Sequence, residues 1–359
     1  MALSTKDESA YNSLGFLTSN PVLSKLRDAY VSFSDRREAL GLPYPGTVDN
    51  IAKEVQRDVF LNNQTFTGLR ADLTKAFSVA PLFQISHALS MGSQALPPYA
   101  YAALYGSPRV FLHATVDSDW SLNGRFNYRW APAFVTKTSV AVAPGSGQAQ
   151  MSIDNEYTGA DFSAAVKAMN PSILEGMLTG MFVGSYLQAI TPRLALGLEG
   201  VWQRPVGGYG PDFLVSFAGR YKGNDWIASG QLLAGAQGIQ GSYWRRLTDR
   251  VEAGVDVNLA FAGLGMGGGM MGGGKEGTTT LGAKYDFRQS SFRAQIDSKG
   301  RLGCLLEKRV APPVQITFAG EIDQAKQTCK LGLAVSIESA GEELMEEQAA
   351  SADQAPPPF

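Results

Sequence analysis

The amino-acid sequence predicts an all-β transmembrane barrel of about 19 strands preceded by amphipathic helices. Three observations lead to this fold. Apolar and polar residues alternate with period two from about Thr67 to Glu338, so each strand has one apolar face and one face carrying full charges. The strands are longer than the roughly 5–6 residues of a soluble sandwich. No rival helices are available to cover the apolar faces, and apolar faces turned to lipid require every backbone group to be paired and the sheet to close. Composition agrees: 18% of residues are charged, against about 25% in ordinary domains, and glycine reaches 40 of 359 residues.

Taken in order, the chain opens on MALSTKDESAYNSLGF, which has no basic region followed by an apolar run and does not read as a secretory signal. Asn20 and Pro21 form a helix start, after which Leu23, Leu26, Tyr30 and Phe33 recur at three-to-four spacing opposite Lys25, Asp28 and Asp35. That helix ends at Gly41, and Pro43–Gly46 break the chain. Thr47 then caps a second helix with Val48, Ile51, Ala52, Val55 and Val59 on one face. Two readings of this pair stay open: helices docked on the body, or helices that enter a lumen or hold a partner.

The body follows. Phe126, Tyr128 and Trp130 interleave with Arg125, Asn127 and Arg129, and Val251, Ala253, Val255, Val257 and Leu259 with Glu252, Asp256 and Asn258. Phe292, Ala294 and Ile296 alternate with Arg293, Gln295 and Asp297, and Val314, Ile316, Phe318 and Ile322 with Gln315, Thr317, Glu321 and Asp323. A spanning strand needs about 9–11 residues, and strand-plus-turn units of roughly 14 give about 19 of them. Breaks fall at Pro81, Pro108, Pro132, Pro171, Pro192, Asn224, Gly300 and Pro312, among others. Trp120, Trp130, Trp202, Trp226 and Trp244 fall near strand ends or in long strands, where interfacial aromatic girdles sit. Gly263–Gly277 contains a formal GxGxxG, but a strand rather than a helix follows it, so it reads as a flexible loop. After Glu338 an acidic, proline-ended tail is expected to be solvated.

Little points to chemistry. Two histidines and two cysteines are too few for a metal site or a disulfide framework, so no cofactor is expected. No nucleophile–base arrangement appears, and the chain does not read as an enzyme. A net charge of −2 argues against nucleic acid as a partner. The strand carboxylates read instead as a lumen lining: Asp117 with Asp119, Asp154 with Glu156, Glu321 with Asp323, and Glu252 and Asp256. Basic Arg125, Arg129, Arg220, Lys222 and Arg293 nearly balance them.

Asn20–Leu42, Pro43–Asn50 and Thr67–Ser78 resemble the eukaryotic porin superfamily, and within it the central pore subunits of the translocase of the outer mitochondrial membrane. The closing stretch Lys330–Ile337 (KLGLAVSI) matches that family's sorting signal at Lys330, Gly332, Val335 and Ile337. The resemblance implies about 19 strands, the number in the mitochondrial anion channel of the same superfamily. An odd count makes the first and last strands pair parallel. The resemblance further implies a multi-pass protein of the mitochondrial outer membrane that conducts unfolded precursor polypeptides, with small single-helix subunits, a receptor subunit and other copies of itself as partners in membrane lipid. On this reading residues 1–65 form an N-terminal segment partly in the lumen, 66–338 the barrel, and 339–359 the tail, while Leu23, Leu26, Tyr30 and Phe33 offer a partner-binding face. The alternative is a voltage-dependent metabolite or anion channel of the same superfamily.

Overall fold

The computed structural model describes residues 37, 41–61, 65–93, 96–144, 148–174, 177–204, 210–233, 238–261 and 275–339. The acidic tail, most of the Gly-rich stretch, and Leu23, Leu26, Tyr30 and Phe33 lie outside the described residues. Nineteen strands form one closed sheet. They are β1 (Gly68–Val79), β2 (Leu82–Met91), β3 (Tyr99–Gly106), β4 (Val110–Asp117), β5 (Leu122–Ala131), β6 (Phe134–Ala143), β7 (Gln148–Thr158), β8 (Phe162–Leu174), β9 (Met177–Ala189) and β10 (Leu194–Arg204). There follow β11 (Asp212–Lys222), β12 (Trp226–Leu232), β13 (Gly238–Thr248), β14 (Val251–Phe261), β15 (Lys275–Asp286), β16 (Ser290–Asp297), β17 (Arg301–Ala311), β18 (Val314–Asp323) and β19 (Thr328–Ser339). Each strand pairs antiparallel with the next, and β19 closes on β1 in parallel.

The parallel seam sets Gly68 against Gly332, Arg70 against Ala334, Asp72 against Ser336 and Lys75 against Ser339. In protein carrying Cys304→Ser and Cys329→Ser, the pair Arg70→Cys with Ala334→Cys should crosslink on oxidation. Crosslinking of Arg70→Cys to Glu338→Cys instead would mean an antiparallel seam and an even strand count.

Register partners point to the same side, so one inward residue assigns every strand. A Cβ at Gly254 would touch Val55, which lies inside the barrel. Following the pairings round the sheet, Val255, Val257 and Leu259 face lipid and Glu252, Asp256 and Asn258 face the lumen. The lipid face carries large exposed apolar side chains such as Leu196, Leu198, Phe217, Leu281 and Phe318. Such a surface is stable only where hydrocarbon replaces water.

The longest strand connections all fall at one end of the barrel. The connections at the end where β1 finishes, including 80–81, 132–133, 249–250 and 312–313, are short turns. Those at the other end include 92–98, 205–211 and 262–274. We call these ends the turn rim and the loop rim. Outward aromatics gather at the turn rim in contacting groups: Phe77 with Phe83, Tyr128 with Trp130, Tyr157 with Phe162 and Tyr186, Tyr221 with Trp226 and Tyr243, and Tyr285 with Phe287.

Three expectations need correction. Pro171 does not end a strand but lies within β8, where the register shifts between Met169 and Ser172. Proline has no N–H to give the ladder, and the chain accommodates it with Asn170 at φ 47° rather than by turning back. Trp244 faces the lumen and packs on the Val55–Phe60 cluster, so it belongs to no girdle. The second helix is shorter than its apolar period suggests. Residues 48–52 form turns, and Glu54–Val59 make a single π-type turn in which Phe60 N–H bonds Val55 O at 3.0 Å. The apolar period is kept, but what it fits is a curved wall rather than a straight groove. Thr47 Oγ1 accepts the Asn50 side-chain N–H at 3.0 Å.

Candidate functional site

The candidate site is the lumen. Residues 41–61 form a strap along its inner wall. Val48 and Ile51 bury against Leu187, Ala195 and Ala218 of β9–β11; Val55, Val59 and Phe60 cluster with Trp244 of β13; Leu61 packs on Leu305 and Ala319 of β17 and β18. These strap residues are almost wholly buried. Polar anchors hold the strap where the apolar contacts leave off. Arg220 reaches Glu54 at 2.6 Å, Ser163 donates to Gly46 O at 2.5 Å, and Leu61 N–H donates to Gln295 Oε1 at 2.9 Å. Arg37 pairs with Asp161 at the turn rim. Nearby Tyr44 lies beside Thr158, and burial pushes its phenol above the usual value.

Small residues make the strap's bed. A Cβ at Gly282 would come within 2.5 Å of the Phe60 ring, one at Gly303 within 2.9 Å of Leu61, and one at Gly332 within 2.3 Å of Phe66 O. The strap therefore crosses β14, β15 and β17 over Gly254, Gly282 and Gly303, and Gly332 of β19 lies under Phe66 just before β1. Alternation alone does not reveal that row, because it shows only that these positions carry no apolar side chain on the lumen face.

With the strap on β8–β18 and Tyr44 beside Thr158 of β7, the inner faces of β2–β6 remain uncovered by the described residues. The acidic residues distribute unevenly around the lumen. Asp154 and Glu156 both face inward on β7; Lys137 pairs with Glu156 at 2.5 Å. Asp154 stands in register with Lys137 and Lys167, with Oδ1 buried and unbonded. Glu321 and Asp323 both face inward, paired with Lys330 at 3.7 Å and Arg301 at 3.3 Å. Asp323 also accepts the Lys326 N–H of the following turn at 3.0 Å. Asp256 takes a long bond from Gln240 at 3.4 Å, and Glu252 is in register with Arg246 and Lys284. Asp117 is the last residue of β4, faces inward and accepts from Ser121 at 3.0 Å. Asp119 does not share its strand face: it lies in the turn that follows and accepts from Ser118 Oγ at 3.1 Å. The spacing i, i+2 overlooked that the strand ends between them.

Sequence reasoning did not single out several lumenal groups as site residues: Glu199 on β10, Lys137 and Lys167 facing Asp154, and the pair Arg70–Asp72 at 2.9 Å on β1. Their signal was present in the same alternation, at strands whose polar face is short of charge. In the closing strand Gly332 and Lys330 point inward, Val335 and Ile337 outward. Among the described residues no group of histidine, cysteine and carboxylate side chains could hold a metal ion.

A family model described as "Eukaryotic porin" matches residues 44–332. This chain belongs to the eukaryotic porin family. The matched stretch takes in the strap as well as the barrel, so this eukaryotic porin shares its lumenal segment with the family pattern. Among its curated relatives, "Mitochondrial import receptor subunit tom40" of Neurospora crassa is 54% identical, covering 93% of this chain and 95% of that protein. "Mitochondrial import receptor subunit TOM40" of Saccharomyces cerevisiae is 43% identical, over 94% and 90%. The Homo sapiens "Mitochondrial import receptor subunit TOM40 homolog" is 27% identical, over 82% and 79%.

Proposed function

We propose that this porin is the protein-conducting channel of the mitochondrial outer membrane, a passive conduit for unfolded precursor polypeptides. The observation that carries the reading is near full-length identity to import receptor subunits on a closed 19-strand barrel with a charged lumen. The alternative of a metabolite or anion channel gives way, because the relatives named above are import subunits. The chain works as a subunit of a translocase; precursor polypeptides, a receptor subunit, small single-helix subunits and further copies of itself are its partners. The barrel spans roughly 66–338, with the N-terminal segment partly in its lumen and the acidic tail beyond it.

Conduction of a chain requires many weak contacts, so that a substrate enters and still leaves. Targeting segments for this organelle are Arg-rich, amphipathic and poor in acids. The acids that serve such a segment are Asp117 on the open β2–β6 wall and Asp154 at its β7 edge, which make no ion pair among the described residues. Those locked to a neighbouring cation, such as Glu156 and Asp323, contribute less field. Lys330, Gly332, Val335 and Ile337 serve as the sorting signal during assembly.

The test uses the purified full chain in a planar bilayer. A basic amphipathic targeting peptide should block the current transiently, and less often as salt rises, since screening in an aqueous pore acts over about 8 Å. Asp117→Asn with Asp154→Asn should lower block frequency by roughly five-fold, the effect of about 1 kcal/mol of lost attraction. Arg125→Gln should not lower it. Unchanged blocking in the acidic variant would assign recognition to apolar lumenal contacts. A channel that the peptide never blocks and that passes metabolite anions freely would overturn the reading.

A further inference from the structure

Inward and outward positions treat charge very differently. Every strand carboxylate whose side chain is described takes an inward register position, among them Asp72, Glu199, Asp286, Asp297, Glu307 and Glu338. Outward positions do carry charge, but only positive. Besides Arg204 at the loop-rim end of β10, in register with Gly180, three stand among lipid-facing residues: Lys75 on β1, Arg245 on β13 and Lys308 on β17, in register with Ile85, Trp226 and Ile316. All three are exposed, and none makes an ion pair with a described residue. All three lie towards the turn rim.

Their settings repeat. Two residues beyond each cation, the hairpin register skips one residue: Phe77, Leu247 and Val310 respectively. These bulged residues are 49%, 56% and 59% exposed. A bulge bends the strand and re-aims a side chain, and bulges concentrate at barrel rims. β5 has the same bulge, with Trp130 skipped and Tyr128 in the cation's place. Each cation is also close to the aromatic belt. Lys75 Nζ lies 5.3 Å from the Phe77 ring centroid, Arg245 is in register with Trp226, which contacts Tyr243, and Lys308 is in register with Ser290, beside the Tyr285–Phe287 pair.

A cation on a lipid-facing surface with no carboxylate beside it must find an anion in the bilayer or snorkel to water. At the depth of an aromatic belt, the available anion is the phosphate of a lipid headgroup, and the exposed apolar residue next to each cation suits the adjoining acyl chain. We propose that the turn rim binds anionic phospholipids, with Lys75, Arg245 and Lys308 each holding a headgroup phosphate. Zwitterionic lipids offer the same phosphate but carry a cation of their own, so the rim selects lipids of net negative charge.

The full chain, purified and exchanged into mixed micelles with equal phosphatidylglycerol and phosphatidylcholine, tests this by native mass spectrometry of retained lipid. Wild-type protein should retain phosphatidylglycerol preferentially. Each of Lys75→Gln, Arg245→Gln and Lys308→Gln should weaken that preference, by about five-fold at its own site, and the triple variant should abolish it. Arg125→Gln removes the same charge from the lumen and should leave the preference intact. Circular dichroism and channel conductance verify that each variant is folded. The proposal is overturned by a triple variant that keeps the preference, by equal loss in Arg125→Gln, or by millimolar inorganic phosphate displacing the lipid, which would make these sites for free phosphate.

Discussion

Protein carrying Val257→Arg should fail to assemble, while Asp256→Asn, one residue away, should assemble at the wild-type level. Val257 faces lipid, in register with Gly241 and Thr279, near the middle of β14. A guanidinium near the bilayer midplane costs roughly 2–4 kcal/mol. Against a net stability of about 5–15 kcal/mol that is a large fraction, and the insertion intermediate has less to spare than the finished barrel. Asp256 faces the lumen, where asparagine is of the same size, relieves a buried charge and keeps the oxygen that accepts from Gln240. Native gel mobility after import into isolated mitochondria measures both. Equal tolerance at the two positions would mean that the register around β14 is wrong by one residue.

The second large effect is expected at Gly332. On the sorting-signal reading, a glycine there gives the strand freedom to bend. The structure supplies a sharper reason. A Cβ on Gly332 would lie 2.3 Å from Phe66 O and 2.8 Å from the Phe66 ring, and a backbone oxygen cannot swing aside as a side chain can. Phe66 is the residue through which the chain leaves the lumen to begin β1, and Gly332 is where β19 meets that start. Gly332→Leu should therefore stop seam closure, leaving protein that is synthesised and targeted but sensitive to protease. Gly241→Ala is the matched control: it also adds a side chain to a strand glycine, but it meets nothing within 4 Å and should assemble normally. Ile337→Asp lies near the turn rim, opposite Val314, where a lipid-face charge costs little, so it should stall assembly through loss of the outward apolar position of the sorting signal. Normal assembly of both Gly332→Leu and Ile337→Asp would remove Lys330–Ile337 from any role in biogenesis.

The barrel was legible in the sequence because alternation is a local property. Arg125 and Phe126 reveal opposite faces whatever lies on the neighbouring strand, and an odd strand count entails a parallel seam without further information. What was not legible depends on contacts distant in sequence. Nothing near Gly282 or Gly303 shows that Phe60 and Leu61 lie over them. Trp244 looks like any strand-end tryptophan until Val55 and Val59 are placed against it. The pairing of Glu156 with Lys137 is a cross-strand neighbourhood, and it changes which acids have field to offer. Pro171 misled for the opposite reason: a strong local turn signal was overridden by the pairing of β8 on both sides.

The strap also constrains the order of events in assembly. It runs directly into β1, and it lies on the inner side of a seam that closes only when the last strand, β19, pairs with the first. A cylinder closed with residues 41–61 outside could admit them later only by threading the preceding chain through the pore from the loop rim to the turn rim, since Arg37 and Asp161 meet at the far end. The sheet must therefore curl around a strap already lying in its concave side, as a sleeve is sewn around a cord. Val55, Phe60 and Leu61 then act as a mandrel: they give the growing sheet an apolar inner surface to wrap before its two free edges meet, and the glycines beneath them set how tightly it can wrap.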